Sequence, residues 1–275
     1  MDKAEKEEIE KEIRKRYPGI TQKDITLMMS FFDMMEAQAE TYSMEREAGA
    51  GCGKKAGSAK KKADRLVDST RTEQTYILYI SIEDCPVKVF RRIRVPSNLW
   101  LGNLARIIIE AIGWEGYHLW QFSKNGLNYT SKADIEESER SGFGFTCRQV
   151  DDMTVTVADV LPQKGSTITF EYDFGDSWRH NVRVSSVSDE TCPAEAIQLT
   201  SGKGACPPED VGGVWGYTRM LDILSGKIDD PEEKASYEEW LGLEKGEAFD
   251  ADDFDIEYAN DDVEAVVDAI LDGEF

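Results

Sequence analysis

The stretch TITFEYDFGDSWRHNVRV, residues 167–184, constrains the fold more than any other part of the chain. Ile168, Phe170, Tyr172 and Phe174 alternate with more polar residues, and after Gly175-Asp176-Ser177 the alternation resumes at Trp178, His180, Val182 and Val184. A period of two marks a strand with one buried face. Two such runs around a short Gly-containing turn form a hairpin. Both apolar stripes reach one core if Phe174 pairs with Trp178 across a three-residue loop. That register sets Tyr172 opposite His180 and Asp173 near Arg179 on the outer face. A histidine on the apolar face is expected to be a core residue, hydrogen-bonded to a carboxylate or a backbone oxygen.

Other elements follow from the same rules. Tyr76–Ile82 and Val87–Val95 alternate as strands about a turn at Glu83–Pro86. Leu101, Leu104, Ala105, Ile108, Ala111 and Ile112 form a helical stripe, with Ser97 placed as N-cap and Gly113 just past the end. His118–Phe122 reads as a strand before a turn at Asn125-Gly126. GACPPEDVGGVWGY, residues 204–217, is too rich in Pro and Gly for a helix or regular strand. It is expected to be a shaped loop that ends at Trp215-Gly216-Tyr217 and runs into a helix over Thr218–Leu224. A helix over Glu232–Leu241 and a last helix capped by Asn260 or Asp261 complete the pattern, with Phe249, Phe254 and Ile256 anchoring the tail between them. Strands and helices alternate without repeated βαβ units, which gives an α+β fold with a mixed or antiparallel sheet and packed helices.

Three parts are expected: a helical segment over 1–48, a Gly/Ala/Lys-rich linker over 49–74 and the α+β domain over 75–275. In the first, Met28, Phe31, Phe32, Met35, Ala39 and Tyr42 recur at helical spacing. Five of the eight methionines lie between Met28 and Met44, a surface suited to self-association or to a protein partner. The linker fails as a Walker loop because Lys55 follows Gly53-Lys54 and Ala48 stands where the first glycine belongs. Its lysines, Lys54 to Lys62, give nucleic-acid binding as the weakest of the functional readings.

The net charge is −22, and none of it comes from residues 1–73, which hold 15 basic and 15 acidic side chains. The acidic remainder repels phosphate backbones, so duplex nucleic acid is not expected as a partner of the domain. No run reaches the length of a membrane helix, and the charged N-terminus lacks the apolar core of a signal peptide. These features point to the cytoplasm, where Cys52, Cys85, Cys147, Cys192 and Cys206 are expected as free thiols.

Chemistry-bearing residues gather in two places. Tyr172, Asp173, Asp176, Trp178 and His180 lie in the hairpin; Cys206, Glu209, Asp210, Trp215 and Tyr217 lie in the Pro/Gly loop. No cofactor motif is evident. Asp176, His180, Cys206 and Glu209 nevertheless offer ligand types that suit zinc or a similar divalent ion. The acidic run Phe249–Asp255 is not an EF-hand, because it lacks the central Gly and the closing Glu in register.

YDFGDSWRH at 172–180, CPPEDVGGVWGY at 206–217, GWEGYHLWQF at 113–122 and FDADDFD at 249–255 together resemble the plasmid pRiA4b ORF-3-like family, over about Thr75 to Ile270. Members also occur as passenger (TnpR-type) proteins of insertion sequences. The resemblance implies a compact α+β domain with a mixed sheet and no established activity. A serine recombinase would need a nucleophilic Ser in a basic site, whereas Ser177 shares its loop with Asp173 and Asp176. The favoured reading is therefore a non-catalytic interaction or accessory module associated with mobile elements. The alternative is a metal-assisted hydrolase, which requires the hairpin and the CPPED loop to converge.

Overall fold

The structure, a computed structural model, describes Lys11 and residues 62–141, 147–244 and 246–274. The N-terminal methionine stripe and most of the linker lie outside the described residues. Eight strands form one mixed sheet: β1 Thr75–Ile82, β2 Phe90–Pro96, β3 Trp120–Lys124, β4 Leu127–Thr130, β5 Arg148–Asp151, β6 Thr167–Tyr172, β7 Trp178–Ser188 and β8 Gln198–Lys203. Their order is β5-β4-β3-β6-β7-β1-β2-β8, with β4–β5 the parallel pair and every other pair antiparallel. The helices are α1 Leu101–Ile112, α2 Lys132–Ser141, α3 Val157–Val160, α4 Gly213–Leu224, α5 Pro231–Trp240 and α6 Ile256–Asp272. An α+β domain is what the alternation implied.

The hairpin forms between β6 and β7, but in a different register from the expected one. Tyr172 pairs with Trp178, Glu171 with Arg179 and Phe170 with His180. Both registers put the same alternate residues on one face, so periodicity could not separate them. The turn decides: Asp173 and Ser177 adopt left-handed backbone at φ 57° and 55° and close a five-residue loop. Phe174 is thereby put into solvent, and Asp173 is buried in the loop rather than set beside Arg179.

Helix α1 is apolar almost all round, and ten of its twelve residues are buried. Such a helix must be covered on both sides; it packs against β2 and α6. Its N-cap is Trp100, not Ser97. The Ser97 hydroxyl instead accepts from the Gln74 amide, while the Leu101 N–H donates to Val155 O at 2.9 Å. At the other end Gly113 turns left-handed at φ 112°, as the sequence implied. Two further boundaries shift. Helix α4 begins at Gly213, so Val214–Tyr217 belong to the helix and not to the loop. Helix α6 is capped by Asp255, which leaves Asn260 inside it; its carboxamide bonds both backbone groups of Leu199 and ties the helix to the edge strand β8.

One buried cation organises the seam between sheet and helix. Arg91 on β2 is 1 % exposed, and no carboxylate among the described residues pairs with it. Its guanidinium donates to five backbone carbonyls: Ala111 at 2.7 Å, Ile112 at 3.1 Å, Lys203 at 2.9 Å, Gly204 at 3.1 Å and Phe90 at 3.0 Å. The Phe254 ring covers it at 3.9 Å. The carbonyls at a helix C-terminus lack intrahelical partners and carry partial negative charge, so a cation there satisfies both needs. Burial pushes the guanidinium down to about 10, with a nearby thiol, Cys206, opposing the shift, and the group stays charged at neutral pH.

A second buried ion works in the opposite direction. Asp152 is 1 % exposed beside the first turn of α1, with Trp120 Nε1 at 3.3 Å. Burial raises its carboxyl to about 7, against the lowering effects of the Trp120 hydrogen bond and of Arg106.

Two outcomes follow. Arg91→Leu strands several carbonyls in the interior and is expected to cost about 3–5 kcal/mol in urea unfolding; a loss below 1 kcal/mol would show that the seam holds without it. A carboxyl whose folded pKa is raised contributes stability that is present below its unfolded value and lost as pH rises through about 7. Asp152→Asn should therefore match wild type near pH 4 and exceed it near pH 8, by up to about 4 kcal/mol, while a constant difference would contradict the assignment.

Candidate functional site

Three segments meet at one end of the sheet, and each is delivered by a particular local constraint. The first leaves α1 at Gly113, where a Cβ would lie 3.1 Å from the Cβ of Cys206. Next comes Trp114, which is buried and donates from Nε1 to Pro207 O at 2.9 Å. Its ring stacks on Tyr172 at 5.0 Å and meets the edge of His180 at 5.3 Å. With Trp114 fixed, the chain runs through Glu115 and Tyr117 to His118.

The second segment is the hairpin loop. The Asp173 amide donates to Leu119 O at 2.9 Å, and its Oδ1 accepts from the Gly175 amide at 2.8 Å. The third is the CPPED loop with the start of α4. Asp176 Oδ2 accepts from the Gly212 amide at 2.9 Å. Gly213, at φ 65°, comes so close that a Cβ there would stand 2.2 Å from Asp176 O. Only glycine fits both the dihedral and the gap.

A polar chain locks the three together. The Tyr172 hydroxyl donates to Glu209 Oε1 at 2.5 Å and accepts from the His118 amide at 3.4 Å, while Glu209 Oε2 accepts from the Glu115 amide at 3.1 Å. Burial and then the Glu209 carboxylate push the Tyr172 phenol upward, which keeps it a protonated donor.

This framework aims His118, Asp173 and Asp210 at one another. His118 Nε2 lies 3.3 Å from Asp210 Oδ1 and 3.7 Å from Asp173 Oδ2. One ligand atom from each of the three falls within 4.8 Å of the others. A divalent ion with bonds of about 2.1 Å needs neighbouring donors about 3.0–3.4 Å apart, in octahedral or tetrahedral geometry. Nε2 is closed off from solvent, yet it makes no hydrogen bond among the described residues. A protonated imidazole paired with either acid would be expected to donate along a short, straight line. Each carboxylate is oriented through its other oxygen: Asp173 Oδ1 accepts from the Gly175 amide, and Asp210 Oδ2 accepts from the Tyr117 hydroxyl at 3.3 Å.

The candidates named from sequence are thus redistributed. The hairpin and the CPPED loop do converge, but the ligand set Asp176, His180, Cys206 and Glu209 does not form among the described residues. Asp176 and Glu209 are occupied as staples. His180 is wholly buried, its Nδ1 3.3 Å from Phe170 O, and burial lowers it to about 4, so it is a neutral core residue. Burial raises the Cys206 thiol to about 12, despite the Arg91 cation, and Cys206 Sγ faces Pro207 O at 3.4 Å. Tyr172, Trp178 and Tyr217 are core aromatics, whereas Trp215 is 88 % exposed, so the two tryptophans share no pocket. Sequence reasoning did not single out His118. The signal was present: it is one of two histidines in the chain, and it stands in the GWEGYHLWQF stretch.

Fold and site define an α+β domain in which one mixed sheet presents a His/Asp cluster at its end. The chain belongs to the plasmid pRiA4b ORF-3-like protein family, whose model matches residues 74–258. It is 29% identical over 192 residues to the uncharacterized protein y4hQ of Sinorhizobium fredii, covering 68% of this chain and 91% of that one. It also resembles the crystal structure of a protein of unknown function, MM3350, from Methanosarcina mazei Go1. That match has a TM-score of 0.56 and 29% identity, over 69% of this chain and 98% of the other. The relatives bring no activity with them.

Tyr172→Phe tests the interlock. Removing the hydroxyl leaves Glu209 and the His118 amide without their shared partner, and should cost about 1–2 kcal/mol in chemical denaturation with the fold retained. Unchanged stability would mean that the two loops are held by backbone contacts alone.

Proposed function

We propose that the domain is a divalent-cation centre of the metal-assisted hydrolase type, with His118, Asp173 and Asp210 as protein ligands. The observation that carries this reading is the solvent-shielded Nε2 of His118, facing two carboxylate oxygens at 3.3 and 3.7 Å without a hydrogen bond. One imidazole and two carboxylates suit zinc, manganese or iron(II). Three protein ligands leave coordination positions for a water and a substrate oxygen, the pattern of catalytic rather than structural sites. A cation held there lowers the pKa of its water and polarises a bound carbonyl or phosphoryl oxygen. The protein's own part is positional: Gly175 orients Asp173, Tyr117 orients Asp210, and the Tyr172–Glu209 pair fixes the segment that bears His118.

A second reading is a non-catalytic interaction module of an accessory protein, and Trp215 favours it. An indole 88 % exposed on an otherwise well-packed helix is the kind of side chain that a partner covers.

Calorimetric titration of chelator-stripped protein with Mn²⁺ and Zn²⁺ separates the two. One site per chain is expected, weakened by at least about ten-fold in His118→Ala and in Asp173→Asn, since each removes a ligand. No binding, or binding that survives both substitutions, would leave the interaction module as the better account.

A further inference from the structure

The surroundings of the His118 cluster discriminate between classes of ligand, and this inference rests on the cation reading above. Seven large apolar side chains are markedly exposed among the described residues, and four of them stand on the three segments that build the cluster. Tyr117 and Leu119 flank His118 in the chain, at 58 % and 51 % exposure, and Phe174 follows Asp173 at 39 %. Trp215, on the first turn of α4, stands just beyond the Gly212-Gly213 contact with Asp176. The Tyr117 ring also touches the His118 imidazole, with centroids 4.5 Å apart and planes tilted by 47°. Apolar surface of this kind is ordinarily buried, so its concentration on the segments that build one polar cluster points to a binding rim.

The charge around the cluster has one sign. Residues 114–119, 173–177 and 206–217 contain Glu115, Asp173, Asp176, Glu209 and Asp210, and not one lysine or arginine. The nearest basic residues along the chain are engaged elsewhere: Arg179 with Glu83, Lys203 with Asp252 and Arg219 with Glu233. A divalent cation balances Asp173 and Asp210 and leaves three further acids on the same segments. Sites that act on phosphate supply arginine, lysine or additional metal to meet its charge. These three segments supply no such clamp. An uncharged carbonyl needs none, because the cation alone polarises it.

We propose that the cation's open positions take the oxygen of an uncharged amide or ester carbonyl, and that an aromatic group next to that carbonyl lies on the rim of Tyr117, Phe174 and Trp215. Phosphate esters are excluded by charge. The rim then acts as the specificity element, and the cluster as the anchor.

Benzohydroxamic acid, acetohydroxamic acid and phenyl phosphate are the probes, titrated into full-length protein loaded with Zn²⁺. The hydroxamates chelate the cation as monoanions, through a carbonyl and an N–O oxygen, whereas phenyl phosphate brings nearly two charges; the benzoyl ring reports on the rim. Chelation alone favours a hydroxamate, so the charge argument is read from phenyl phosphate itself, which is expected to show no saturable binding. Benzohydroxamic acid should exceed acetohydroxamic acid by about three- to ten-fold through ring stacking. Trp215→Ala should abolish that advantage while zinc affinity is unchanged. Saturable binding of phenyl phosphate, or a ring advantage untouched by Trp215→Ala, overturns the inference with the cation site intact. Failure of the wild-type chain to take up zinc overturns the cation reading itself, and this inference with it.

Discussion

The guanidinium of Arg91 is the interaction on which the rest of the domain depends. Among the described residues it has no acidic partner and is held by backbone carbonyls, two at the end of α1 and others at the end of β8. Those two ends are where two of the three site segments begin. From Ile112 the chain turns at Gly113 toward Trp114 and His118; from Gly204 it runs to Glu209 and Asp210. A cation that binds both exits fixes their separation, and it does so at the helix end where a positive charge is most favourable. The third segment, the hairpin loop, is then drawn in through Tyr172 to Glu209 and Asp176 to Gly212. Fold and site are in this sense one construction.

Much of that construction was legible in the sequence, because alternation and helical periodicity report burial directly. Strands β1, β2, β6 and β7, the stripe of α1 and the Gly113 terminus follow from such patterns, whereas the short β4 and β5 and the edge strand β8 carry too little alternation to show. What escaped were features decided by a few atoms. A two-register ambiguity survives any argument from periodicity, and it was resolved by left-handed backbone at Asp173 and Ser177. The start of α4 was hidden because Gly212 and Gly213 look like a loop, although Gly213 is needed for close approach to Asp176 rather than for flexibility. Arg91 reads as one more charge on a strand, and only the folded chain shows it buried.

The same limit applied to chemistry. Acids, a thiol and an imidazole in two motifs suggested a ligand set, but sequence cannot say which acids are already occupied. Asp176 and Glu209 are consumed as staples, His180 is sealed into the core, and the half-buried Cys206 faces Pro207 O. The residues left with converging ligand atoms are His118, Asp173 and Asp210. Two of them, Asp173 at φ 57° and Asp210 at φ 61°, hold left-handed backbone. Backbone of this kind costs about 1–2 kcal/mol per residue. Asn125 and Asp84 show the same conformation in turns near strand ends, where it is routine. At the cluster it orients two carboxylates instead, which accords with strain held where geometry matters.

The central claim is that these three side chains share one ion, and anomalous diffraction from a crystal grown with Mn²⁺ addresses it most directly. The account predicts a single strong peak about 2.0–2.2 Å from His118 Nε2 and from one carboxylate oxygen each of Asp173 and Asp210. A cluster without a peak, with the imidazole donating directly to one of the acids, would contradict it.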